Sequence, residues 1–150
     1  MKRALAVVTQ DERSKQVVRE AAELAAGVGA KLLLLTVVPE EDYERKREAM
    51  EEAGSTTPYT LSQAEQSARH TARSVADEVL DEIDVDYELL GAVGRESSTI
   101  LSIARDEEVD HIFIAGRRRS PTQKAIFGDI TQRVLLNFNG TVTVLLTEEE

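Results

Sequence analysis

His111-Ile-Phe-Ile-Ala-Gly-Arg-Arg-Arg-Ser-Pro-Thr-Gln-Lys-Ala-Ile-Phe-Gly-Asp-Ile-Thr-Gln-Arg-Val134 carries the decisive pattern of this chain. An apolar strand runs into a polar, basic loop, and helical periodicity follows. In an open parallel sheet, ligands bind where strand carboxyl ends meet helix amino ends. A helix amino end offers free N–H groups and a partial positive charge. Arg117, Arg118 and Arg119 lie in the same loop. The stretch is a candidate anion site, with phosphate as the foremost ligand.

The pattern continues on both sides. Arg3–Thr9 reads as a short apolar strand, of the kind buried on both faces of a parallel sheet. Ser14–Val28 reads as a helix, with Val17, Val18, Ala21, Leu24, Ala25 and Val28 on its inner stripe and Gly27 and Gly29 at its end. Lys31–Val38 is a second apolar strand, stopped by Pro39. From Leu61 a helix places Ala64, Ala68, Ala72, Val75, Ala76, Val79, Leu80 and Ile83 on one stripe, and its small alanines predict close approach to the sheet. Val85–Val93 is the third strand. A helix through about Asp106 follows, capped by Ser97 or Ser98. His111–Ala115, a helix over Thr122–Asn137 and a strand over Thr141–Thr147 complete the series. Residues 40–58 are highly charged and predict a flexible loop or a short solvated helix, with a lid as the alternative to a plain solvated face. Residues 148–150 predict a frayed acidic tail. The whole predicts one domain over residues 1–150: a Rossmann-like, doubly wound α/β fold with five parallel strands and helices on both faces.

Composition excludes several classes of function. The chain of 150 residues has no cysteine and two histidines, which removes disulfides, thiolate chemistry and multi-histidine metal centres. No apolar run approaches the ~18 residues of a membrane span. The apolar part of the N-terminus is too short for a signal peptide, and a cytoplasmic location is expected. With 28 acidic against 18 basic side chains, nucleic acid and anionic lipid are unfavoured partners. Thirteen of the 18 basic residues are arginine, and this acidic, lysine-poor surface resembles that of proteins from salt-loving archaea.

Catalytic motifs are missing. Gly27-Val28-Gly29 precedes a strand instead of following one, the wrong context for a dinucleotide fingerprint. There is no phosphate loop with Gly-Lys-Ser/Thr and no Gly-x-Ser-x-Gly elbow. His111 reads as a strand-end histidine and His70 as an exposed one. No catalytic constellation is legible, and the expected protein is not an enzyme.

Four stretches carry a resemblance over nearly the whole chain: Gln10–Ser14 after the first strand, Leu33–Pro39, Gly94–Leu101, and Ala115–Gln132 with Gly140–Leu146. Their order and spacing resemble the universal stress protein family. The resemblance implies a fold like that of the adenine-nucleotide alpha hydrolases and a non-enzymatic stress-response regulator. It also implies a site for ATP or AMP, with Mg²⁺ where the ligand is a triphosphate. In nucleotide-binding members the loop reads Gly, two residues, Gly, nine residues, then Gly with Ser or Thr.

This chain departs from that pattern. Anchored on Gly128, the early glycines fall on Ala115 and Arg118, and the hydroxyl position falls on Asp129. A one-residue deletion makes Gly116 the first glycine and leaves the second missing. The family's adenine-side aspartate aligns with Thr9, with Asp11 two residues on, and Val38 matches its apolar adenine-side position. Arg118 in a glycine position costs about 1 kcal/mol if a positive φ is needed, yet brings a guanidinium that can fork onto phosphate. Asp129, followed by Ile130, opposes phosphate unless a cation bridges them. Alternatively it pairs with Arg133 on the helix surface. The candidate site is therefore Thr9, Asp11, Val38, Ala115, Gly116, Arg117, Arg118, Arg119, Gly128, Asp129 and Ile130.

The last strand alternates Val142, Val144 and Leu146 with Thr141, Thr143, Leu145 and Thr147. It is either an internal strand or an apolar edge that must be covered. The resemblance implies that it pairs with its counterpart in a homodimer. Two functions follow as expectations: an adenine-nucleotide regulator with a degraded ATP motif, or a nucleotide-independent homodimer acting through protein contacts.

Overall fold

Arg3–Val7 forms β1, apolar at every position but the first, and lies at the centre of the sheet. The computed structural model describes residues 1–118 and 127–148. After β1 come α1 (Arg13–Val28), β2 (Lys31–Pro39), α2 (Glu40–Glu52), α3 (Leu61–Val79) and β3 (Tyr87–Gly94). Then follow α4 (Glu96–Asp106), β4 (His111–Arg118), α5 (Asp129–Asn137) and β5 (Thr141–Glu148). The strands stand in the order β3-β2-β1-β4-β5, and every pairing is parallel. The chain winds outward from β1 to β3, then returns to build β4 and β5 on the other side. This is the doubly wound five-stranded sheet that the apolar runs predict.

Side chains alternate across a strand, so each strand feeds two cores. Ala4, Ala6, Val8, Leu32 and Leu34 face α1 and α3, where Val17, Ala21, Ala72 and Val75 meet them. Leu5, Leu33, Leu35, Ile112 and Ile114 face α4 and α5, against Ile100, Ala104 and Val134. The alanine stripe of α3 brings that helix so close to β3 that a Cβ on Gly91 would lie 2.2 Å from the Glu65 carbonyl oxygen.

The local signals act as their chemistry requires. Gly29, at φ 71°, ends α1, and its N–H reaches back to the carbonyls of Ala25 and Ala26. At the start of α3, the Thr60 hydroxyl accepts from the Gln63 N–H (3.2 Å) and Gln63 accepts from the Thr60 N–H (3.1 Å).

Several expectations need correction. Residues 40–52 form a 13-residue helix with no buried residue, the second of the two forms the charge run allowed. Ser97 and Ser98 are not caps: α4 begins at Glu96 with Arg95 in the capping position, and Ser97 turns inward and is buried. The last helix begins at Asp129, because Gly128 is extended (φ −68°, ψ 165°) and breaks the helical path; residues 122–126 lie outside the described residues. Leu24 and Val28 are 45% and 60% exposed. Ser14 and Ala22 complete the buried stripe of α1 instead, which leaves Leu24 off the inner face and Val28 at the helix end. Strand β4 runs three residues past Ala115, to Arg118.

Candidate functional site

The carboxyl ends of β1 and β4 point the same way and their continuations diverge, β1 into α1 and β4 toward α5. That divergence opens the crevice where a doubly wound sheet holds its ligands. A cavity of about 400 Å³ lies there, lined by Val7, Thr9, Asp11, Ser14, Ala115, Gly128, Asp129 and Ile130 among others. Thr9, Asp11, Ala115, Gly128, Asp129 and Ile130, six of the sequence-derived candidates, therefore share one cavity.

Its β1 wall is built by hydrogen bonds. The Thr9 N–H donates to Ser14 Oγ (2.7 Å), and the two hydroxyls lie 2.9 Å apart. Asp11 Oδ1 accepts from the Arg13 N–H (3.0 Å), and the Asp11 carboxylate pairs with the Arg13 guanidinium. That hydrogen bond raises the already high Arg13 pKa. Asp11 thus stands at the cavity tied to a neighbouring cation.

Its other wall is α5. Thr131 donates its hydroxyl to the Ala115 carbonyl (3.0 Å), locking the helix start to β4. Among the described residues nothing lies within 4 Å of the position of a Cβ on Gly128, which precedes the amino end of α5. Asp129 occupies the first turn of that helix and places a carboxylate in its positive field. The i,i+4 pair with Arg133 does not form: no ion pair among the described residues joins the two.

The remaining candidates fall elsewhere. A Cβ on Gly116 would lie 2.7 Å from Val144 Cγ1 and 3.2 Å from Phe127 Cδ1, so packing against β5 explains this glycine. Arg117 and Arg118 are the last residues of β4, and Arg119 lies outside the described residues. Val38 is on the far side of β1, lining a second cavity of about 370 Å³ with Thr9, Thr36, Tyr43, Lys46, Tyr59, Ser67, Ala68 and Thr71. Tyr43 and Tyr59 stand with ring centroids 5.6 Å apart, and Lys46 Nζ sits 4.7 Å above the Tyr59 ring. The Thr36 hydroxyl is buried there with no hydrogen-bond partner among the described residues.

Sequence reasoning missed Glu96. It lines both of these cavities and a third of about 520 Å³, shared with Glu40, Glu41, Arg95, Asp129 and Arg133. Burial pushes the Glu96 carboxyl above its ordinary range, and the Asp42 carboxylate adds to that shift. The sequence signal was Gly94 at the end of β3, which marks a strand-to-helix turn without saying which side chain enters the crevice. Among the histidines, His70 is exposed. His111 Nε2 lies 2.7 Å from Thr143 Oγ1, and its ring stacks on Phe113 at 4.3 Å. Burial lowers its pKa, partly offset by Asp110. Neither histidine lines any of the three cavities. Among the described residues, no helix is long and apolar enough to cross a membrane.

A profile of the universal stress protein family matches residues 1–145. No curated protein matches the chain. Among solved structures, the universal stress protein UspA from Lactobacillus plantarum is similar, with 19% identity, coverage of 96% of this chain and 97% of that one, and a TM-score of 0.67. A universal stress protein in complex with cAMP has 14% identity, coverage of 97% and 96%, and a TM-score of 0.63. The universal stress protein from Archaeoglobus fulgidus in complex with dAMP has 21% identity, coverage of 96% of each chain and a TM-score of 0.53. The shared fold along almost the full length, with a family match over residues 1–145, means that this chain belongs to the universal stress protein family.

Proposed function

We propose that this chain is a non-enzymatic stress-response regulator whose crevice between β1 and β4 holds an adenine nucleotide of low charge, AMP in preference to ATP. The observation that carries this reading is the gathering of six candidate residues around one cavity at the point where the strand order reverses. At about 400 and 370 Å³, the two cavities beside β1 each lie within the roughly 300–1,000 Å³ range of small-molecule sites. Gly128 and the amino end of α5 line the first of these cavities, and the N–H groups of a helix amino end suit one phosphate. Further phosphates add charge beside Asp129, and a charge pair at ~4 Å opposes binding by about 1 kcal/mol in water, more where water is thin. The lining thus fits a monophosphate better than a triphosphate. The cAMP and dAMP complexes of two similar structures, each with a single phosphate, support the same ligand class.

The second reading, a nucleotide-independent homodimer joined through Thr141–Thr147, is favoured by a different observation. Strand β5 is an outer strand of the sheet, and Leu146 on it is 42% exposed. An apolar sheet edge of this kind needs a cover, and a second copy of β5 supplies one.

Calorimetry of the purified protein at high salt is expected to show binding of AMP and weaker binding of ATP with Mg²⁺. Mass spectrometry of ligand released from the protein is expected to find an adenine nucleotide. Absence of both overturns the nucleotide reading and leaves the dimer, for which sedimentation should give twice the 16.6 kDa chain mass.

A further inference from the structure

The two cavities beside β1 differ in chemistry and meet at two residues, Thr9 and Glu96. The cavity under α2 has Val8, Val37, Val38 and Ala68 with two tyrosine rings, and the Thr36, Ser67 and Thr71 hydroxyls among them. Such walls suit a flat aromatic base with hydrogen-bonding edges. The cavity on the other side of β1 ends at Gly128 and the amino end of α5, which suits a phosphate. A nucleotide laid across both has its sugar at the neck, between Thr9 and Glu96.

Glu96 is well suited to that place. Among the described residues it has no hydrogen-bond or ion-pair partner, even though it is part-buried. Burial and the nearby Asp42 both disfavour its charged form. A carboxylate in that condition gains most from neutral O–H donors, and two acceptor oxygens match the two hydroxyls of a vicinal diol. A phosphate at the same place would meet a bare negative charge, which also fixes the direction in which the ligand lies. Thr9 cannot take over this role freely, because its hydroxyl is held by Ser14 and accepts from the Asp11 N–H at 3.2 Å.

The geometry points to Glu96 as the residue that reads the ribose 2′,3′-diol, making the site selective for ribonucleotides over deoxyribonucleotides. This rests on the nucleotide reading above and names which nucleotides the site prefers.

The test uses the full chain as wild type, Glu96→Gln and Glu96→Ala, titrated calorimetrically with AMP, 2′-deoxy-AMP and 3′-deoxy-AMP. A hydrogen bond to a charged group corresponds to roughly tenfold in affinity or more, so wild type should bind AMP at least about tenfold tighter than either deoxy form. In Glu96→Ala the three affinities should converge, with binding of the deoxy forms kept or improved because a negative charge has gone. Retained deoxy-AMP binding also shows that the variant is folded. Glu96→Gln, which keeps one acceptor oxygen, should retain part of the preference. Equal binding of all three ligands by wild type, or an undiminished preference in Glu96→Ala, overturns the role of Glu96 and leaves the nucleotide site standing. No binding of any of the three by wild type overturns both.

Discussion

Gly91→Ala is expected to lower the stability of the fold by about 3 kcal/mol, the upper end of the range for overpacking a core. The added methyl would lie 2.2 Å from the Glu65 carbonyl oxygen and 2.6 Å from the Arg69 backbone nitrogen. Both atoms belong to the backbone of α3, so no side-chain rotation relieves the clash, and the helix itself must move off β3. For a chain of this size that corresponds to a fall in Tm of roughly 10 °C. Gly27→Ala is the matched control. It lies inside α1 with nothing within 4 Å of the new methyl, so it should stabilise by about 0.5–1 kcal/mol. Thermal melts followed by circular dichroism separate the two. A Gly91→Ala protein that melts with wild type would refute the close approach of α3 to the sheet.

Asp129→Ser is expected to raise affinity for ATP by about tenfold or more in the absence of Mg²⁺, and to raise affinity for AMP much less. Repulsion from one carboxylate grows with the charge of the ligand, and the serine hydroxyl adds a donor at the helix amino end. Salt should narrow the gap, because Asp129 is exposed and its field is screened over a few ångströms at high ionic strength. The same change should cost a few tenths of a kcal/mol in stability, since a carboxylate in the first turn of α5 is favourable for the helix. Tighter ATP binding in a slightly less stable protein is thus the expected signature. Parallel gains for ATP and AMP, or no gain for either, would show that Asp129 does not face the phosphates.

How much of this was legible in the sequence follows from which forces leave a local trace. A strand buried on both faces must be apolar throughout, so Leu32–Leu35 announced themselves, as did the alternation of small residues along α3. Helix α2 left no such trace. It buries nothing, and its ion pairs, Arg47 with Glu44 and Glu51 and Arg45 with Asp42, look the same in sequence as any solvated charge run. The start of α5 at Asp129 was not legible because the helical periodicity runs through Gly128 without a break, whereas the backbone of Gly128 is extended. Gly116 resembled part of a phosphate loop, yet its neighbours are Val144 and Phe127, which only the pairing of β4 with β5 brings near. Glu96 was invisible for a related reason. Thr9, Glu96 and Asp129 sit in three separate stretches of chain, and only the reversal of strand order beside β1 places them around one crevice.

The cavity under α2 joins two parts of the molecule held with very different strength. Its floor is the end of β1 and β2, continuous with the most deeply packed leucines and valines of the protein. Its roof is a helix that buries no residue, fastened at the cavity by the Tyr43 hydroxyl on the Tyr59 carbonyl at 3.3 Å, by the Tyr43–Tyr59 ring pair and by Lys46 over the Tyr59 ring. Lifting that roof breaks surface contacts only and leaves both apolar layers untouched. Admitting a ligand and unfolding the chain are consequently separate events with separate free energies, and a change that alters one need not alter the other.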